Sequence, residues 1–134
     1  MKRTVGIAAW DERVSTTLDF AGRLVVVVVT GGREIFRQDV PLIDEPVEAK
    51  ARRIRDLAVR VVLCGAVSEP LARAVCRAGI QVIPFVGGEV DMVLAAYLCG
   101  RLAEPRFLQP GSPPGVRRRW WHRGGFRGDL KECW

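Results

Sequence analysis

The chain has little of what metal sites and acid–base enzymes are usually built from. It has one histidine, His122, so no multi-histidine site can form within it. No Ser-His-Asp or Cys-His arrangement is available either, because His122 lies in a basic C-terminal stretch. Four cysteines are present, Cys64, Cys76, Cys99 and Cys133, and none forms a C-x-x-C pair. Their spacings match no zinc pattern. No apolar run approaches the roughly 20 residues of a membrane helix. The run Leu24 to Val29 is strand-sized. The N-terminus, MKRTVGIAAWDER, is basic but lacks an adequate apolar region before Asp11 and Glu12. That predicts no signal peptide and a cytoplasmic location, where the thiols stay reduced. Only three of the 21 basic residues are lysines, a bias that base composition of a genome can produce.

What is present fits one soluble domain. At 134 residues the chain can bury a proper core. Thr4 to Ala9 predicts a first strand, and Trp10 to Gly22 a polar loop. The β-branched run Leu24 to Val29 predicts a strand covered on both faces, near the centre of a sheet. Gly31-Gly32 then joins it to Arg33–Val40 as a β-hairpin, since tight hairpin turns require positive φ. Arg33–Val40 alternates, as expected of a strand nearer an edge. Asp44-Glu45-Pro46 predicts a helix start. Val47, Ala51, Ile54, Leu57 and Ala58 form its apolar stripe. Lys50, Arg52, Arg53 and Arg55 fall largely off that stripe and predict a solvated face.

The stretch from Val61 to Gly100 is the most informative. A short apolar strand ends in Cys64-Gly65. Ser68 caps a helix that Gly79 closes. A second strand ends at Pro84-Phe85, and Gly87-Gly88 leads into a last helix with Val90, Val93, Leu94, Tyr97 and Leu98 on one face. Strand, helix, strand, helix at this spacing predicts a parallel βαβ unit. The whole order is βββαβαβα, which predicts a three-layer α/β domain with a five-stranded mixed sheet. Three loops should meet at its carboxyl edge: Trp10 to Gly22, Gly65 to Glu69, and Phe85 to Glu89. Gly65, Gly87 and Gly88 leave backbone N–H groups near helix starts, and Ser15, Thr16, Thr17 and Ser68 add hydroxyls. Together these suit an anion; the alternative is ordinary turn glycines and caps. Cys64 reads either as a ligand or reactive thiol, or as a small core hydrophobe. Cys76 and Cys99 lie in helices and read as core-filling.

These words in this order, DERVSTTLDFAGRLVVVVV, VVLCGAVSEPLARAVCRAGIQVIPFVGGEVDMVLAAYLCGRL and EPRFLQPG, resemble the dinitrogenase iron–molybdenum cofactor-binding family, the NifX-like domain. The similarity spans nearly residues 4 to 111. It implies an RNase H-like fold. It also implies a non-enzymatic binding or carrier protein for an iron–sulfur or iron–molybdenum cluster, or its precursor, with cofactor-assembly proteins as partners. Many relatives carry a histidine in the loop after V-S, where this chain continues Thr16-Thr17-Leu18-Asp19. Some carry a cysteine where Gly87 stands, or after Pro110-Gly111, where Ser112 stands. Cys64 alone remains as a soft metal ligand. The expectation is therefore cluster binding through Cys64, or a member that has lost its cofactor. RNase H-type nuclease chemistry would need carboxylates clustered beside the sheet. The first strand has no acid between Val5 and Ala9, and the strand before Cys64-Gly65 ends without one.

The +6 net charge is uneven. From Gln109 onward six basic residues face Asp129 and Glu132, so that stretch carries +4. Residues 1–108 therefore read as the NifX-like domain and 109–134 as a flexible tail, on composition alone. In the tail Arg117, Arg118, Arg119 and Arg123 interleave with Trp120 and Trp121. Such residues pair with phosphates and stack on bases, or contact a partner protein. A solubilising extension is the plainer alternative.

Overall fold

The computed structural model describes residues 2–110. The stretch holding Arg117, Arg118, Arg119, Trp120, Trp121 and Arg123 lies outside the described residues, as do His122 and Cys133.

Among the described residues, six strands and three helices follow one another: β1 (Lys2–Trp10), β2 (Arg13–Val14), β3 (Arg23–Thr30), β4 (Arg33–Pro41), α1 (Val47–Asp56), β5 (Val61–Leu63), α2 (Glu69–Arg77), β6 (Gln81–Ile83) and α3 (Val90–Leu98). A 3-10 turn, Pro105–Phe107, comes last. The sheet order is β4-β3-β1-β5-β6, with β2 added beside β1. β1, β5 and β6 are parallel, in register at Ile7, Leu63 and Ile83. β1 with β3, and β3 with β4, are antiparallel. The expected mixed α/β sheet is present, with six strands instead of five.

The extra strand lies inside the segment expected to be a loop. A two-residue turn, Asp11-Glu12, folds Arg13–Val14 back on β1. Asp11 takes a left-handed conformation, φ 55°. Nothing in D-E-R-V alternates, and only Val14 becomes buried. The Gly31-Gly32 hairpin forms as expected, with both glycines at positive φ, 58° and 77°.

Two cores flank the sheet. On one face α1 and α2 bring Ala51, Ile54, Leu71, Ala72 and Val75 onto Ala8, Leu24, Val26, Val62 and Val82. On the other, α3 sets Val90, Val93 and Leu94 against Val5, Ile7, Val25, Val27 and Leu63. Alternate residues of the valine run thus enter opposite cores, which explains its continuous apolarity. β1, rather than the valine strand, lies at the centre of the five-strand path.

Three expectations need correction. Lys50 is not on a solvated face: it is 3% exposed, and its Nζ donates to the Asp19 carbonyl. It snorkels inward beneath the β2–β3 loop instead of outward. Cys99 is exposed, not core-filling. It follows α3 as its C-cap, off the stripe of Val90, Val93, Leu94, Tyr97 and Leu98. β4 is an edge strand as expected, but its alternation gives no buried face. A bulge places Ile35 outside the pairing with β3, and Ile35 is left half-exposed.

Candidate functional site

The carboxyl ends of the parallel strands β1, β5 and β6 point to one edge, and the three expected loops meet there. Ala66 N–H donates to the Thr16 carbonyl at 2.8 Å, and Leu18 N–H to the Ala66 carbonyl at 2.8 Å. Val14 N–H donates to the Gly88 carbonyl at 2.9 Å, and Phe85 N–H to the Gly65 carbonyl at 2.9 Å. Ser15, Thr16, Thr17, Gly65, Ser68, Gly87 and Gly88 therefore share one patch.

The same bonds use donors that the sequence left open. Gly87 N–H donates to the Phe107 carbonyl at 2.9 Å. Ser68 N–H, at the start of α2, donates to both carboxylate oxygens of Asp19, at 3.0 and 3.2 Å. The helix N-terminus is thus already neutralised by an acid of the chain itself. The Ser68 hydroxyl accepts from Leu71 N–H, and the Thr17 hydroxyl from Phe20 N–H. Both hydroxyls serve a cap and a turn.

Asp19→Ala is expected to lower stability by about 1–2 kcal/mol, since it removes a charge-assisted cap. Asp19→Asn should lose less, because one acceptor oxygen remains. Urea unfolding checks this, with the midpoint moving at constant m.

Cys64 lies directly under the patch, fully buried in the core between the sheet and α2. Burial, and secondarily the negative charge of Asp19, pushes its thiol well above the usual range. It is held as a neutral thiol, whereas metals take thiolate. Among the described residues, no three side chains from His, Cys, Asp and Glu come together as a metal site.

Sequence reasoning missed Gln109, assigning it to the tail. Its N–H donates to the Phe85 carbonyl and its side-chain amide to the Thr16 carbonyl, both at 2.8 Å. Leu108 adds a bridge to Val86. A strap from Phe107 to Gln109 therefore crosses two of the three loops. Beneath it Phe85 sits at φ 63°, which for a bulky residue costs of order 1–3 kcal/mol. The bonds to Gly65 and Gln109 hold it there.

Beside this patch opens a cleft of about 480 Å³. Trp10, Asp11, Arg13, Ser15, Thr16 and Phe20 line it. Trp10 is 60% exposed and Phe20 is 72% exposed. Two exposed aromatics, a guanidinium, a carboxylate and hydroxyls on one concavity suit a ligand with both apolar surface and polar or charged groups. Of the residues singled out from sequence, Ser15 and Thr16 line the cleft.

No family model matches the chain, and no curated protein is significantly similar to it. Solved structures are similar to it in fold. PH0822 has a TM-score of 0.69 at 23% identity, over 73% of this chain and 90% of that one. A candidate dinitrogenase, MJ0327 from Methanocaldococcus jannaschii, has a TM-score of 0.63 at 14% identity, over 84% of this chain and 99% of that one. A candidate NifB protein from Thermotoga, TM1290, described as belonging to the DUF35 family, has a TM-score of 0.60 at 19% identity, over 81% of this chain and 99% of that one. The fold is the one these proteins share, in agreement with the resemblance to the dinitrogenase cofactor-binding family. No helix among the described residues is long and apolar enough to cross a membrane.

Proposed function

We propose that this chain is a non-enzymatic binding or carrier protein of the NifX-like kind, acting among cofactor-assembly proteins in the cytoplasm. The observation that carries this reading is a shared fold. This chain spans 99% of both MJ0327 and TM1290, one described as a candidate dinitrogenase and the other as a candidate NifB protein. Its convergent loops lie at the sheet edge where ligands of such α/β folds sit. The cargo class is an anionic metal cluster or its precursor.

The described residues do not fit tight ligation of that cargo. Cys64 is buried and neutral, and the N–H groups of Ala66, Ser68 and Gly87 already have internal acceptors. The remaining contact is docking without coordination, in the cleft of Trp10, Phe20, Arg13, Ser15 and Thr16. Arg13 supplies the cation, opposite in sign to Asp11 in the same lining, and the aromatics supply the apolar walls.

Anaerobic reconstitution with iron and sulfide tests the proposal. The expected result is no stoichiometric visible chromophore, because stable clusters generally take about four protein ligands. A stoichiometric chromophore lost in Cys64→Ala would restore direct ligation. If docking is correct, a preformed anionic cluster should bind weakly, and Arg13→Ala should weaken it further. Binding unchanged by Arg13→Ala would remove the cleft from the account.

A further inference from the structure

The outer edge of β4 is the surface that the proposed cargo site leaves unexplained. β4 terminates the sheet, and every residue along it except Val40 is exposed. The bulge at Ile35 and Pro41 limit its regular, pairable part to Phe36–Val40. Within those five residues the side chains alternate between faces. Phe36, Gln38 and Val40 oppose Val28, Val26 and Leu24 and lie on the α1–α2 side. Arg37 and Asp39 oppose Val27 and Val25 and lie on the α3 side, where Arg37 reaches Asp91 of α3 at 2.7 Å.

This segment is complementary to itself when reversed. We propose that β4 pairs antiparallel with β4 of a second copy of this chain, about a two-fold axis at Gln38. Arg37 of each copy then faces Asp39 of the other, and Phe36 of each faces Val40 of the other. Directly opposed charges and aromatic–aliphatic pairs are what stabilise antiparallel strands. Shifting the register by one residue in either direction loses this match, opposing Arg37 to Gln38 or to Val40.

The charges have capacity for the second partner. Asp39 is 62% exposed at its side chain, and its ion pair with Arg23 is long, 3.7 Å. The Arg23 Nε is buried without a hydrogen-bond partner, so Asp39 is only loosely held. Arg37 spends three N–H groups on Glu34 and Asp91 and has two more. Phe36 is 56% exposed in the single chain. Edge strands are commonly guarded by charges and bulges. Here the bulge and Pro41 bound the pairing, and the charges select the same strand of another copy. A two-fold contact of this kind closes after two subunits.

Sedimentation velocity of the full chain across the micromolar range tests the pairing. The expected result is a concentration-dependent dimer. Asp39→Lys opposes two cations twice and should raise the dissociation constant about tenfold or more. Cysteine cross-linking tests the register, in a Cys99→Ser, Cys133→Ser background. Gln38→Cys should form a disulfide dimer on mild oxidation, because facing residues have Cα atoms about 4.5–5.5 Å apart, within disulfide reach. Arg33→Cys should not, its two copies lying more than about 20 Å apart. A monomer at every concentration would overturn the proposal, as would a dimer indifferent to Asp39→Lys. Cross-linking through Arg33→Cys as readily as through Gln38→Cys would also overturn it.

Discussion

Gly65→Ala is expected to be among the most damaging single substitutions in this protein, at about 3 kcal/mol or more. An added Cβ would meet the carbonyl oxygens of Ser15 and Thr16, each at 2.5 Å, and the Gln109 amide nitrogen at 2.8 Å. Two of these three are backbone atoms, pinned by the hydrogen bonds that join the loops. They cannot rotate away as a side-chain end could. Overpacking typically costs about 1–3 kcal/mol, and backbone obstruction puts this case at the upper end. For a domain of this size the thermal midpoint should fall by about 10 °C or more. Gly87→Ala is the comparison. Its Cβ would sit 3.2 Å from the Gln109 Cα, so a shift of a few tenths of an ångström suffices. Its loss should be the smaller of the two. Equal midpoints for Gly65→Ala and the parent protein would show that the β2–β3 loop yields freely. The loops could not then form a fixed site.

Cysteine reactivity should divide sharply. Cys99 is exposed, whereas Cys64 and Cys76 are buried. In the native protein an alkylating reagent should modify Cys99 rapidly, and should reach Cys64 only through unfolding. For a protein stable by about 5 kcal/mol, the difference in rate is of order 10³ or more. Peptide mass spectrometry after a timed pulse reads it directly. The same burial gives a pH dependence. The Cys64 thiol is raised in the folded state. Its stabilising contribution is therefore fully present below the unfolded pKa of about 8.5, and is lost as pH rises above it. The slope is at most about 1.4 kcal/mol per pH unit for this one group. Cys64→Ala should remove that part of the alkaline loss. Rapid native labelling of Cys64 would contradict its burial, and would return it to the list of available metal ligands.

These two results bear on the same functional question. If Gly65 packs against fixed loops and Cys64 stays neutral beneath them, the sheet edge is a closed, internally bonded surface. Cargo would then contact the neighbouring cleft, not the strand end. Free movement of the loops together with a reactive Cys64 would favour direct ligation.

Much of the architecture follows from local pattern. The hairpin at Gly31-Gly32, the Ser68 cap, the amphipathic faces of α1 and α3 and the βαβ order are all set within a few residues of sequence. Periodicity and turn chemistry report such features because their causes are local. The meeting of the three loops was also legible, since parallel strands joined by right-handed crossovers bring their carboxyl ends to one edge.

What only tertiary structure decided depends on partners far away in the chain. Asp19 neutralises the start of α2 across 49 positions, and Gln109 reaches Thr16 across 93. Lys50, on a helix face that pattern alone marks as solvated, is turned inward by a carbonyl 31 residues away. The glycine at position 65 looked like an open anion donor, and its real cause is lack of space. A sequence lists donors and acceptors, but it does not show which have found each other. Folding pairs buried polar groups internally wherever it can, because leaving one unpaired costs about 1–3 kcal/mol. That pairing consumed much of the predicted anion site and left the cleft beside it.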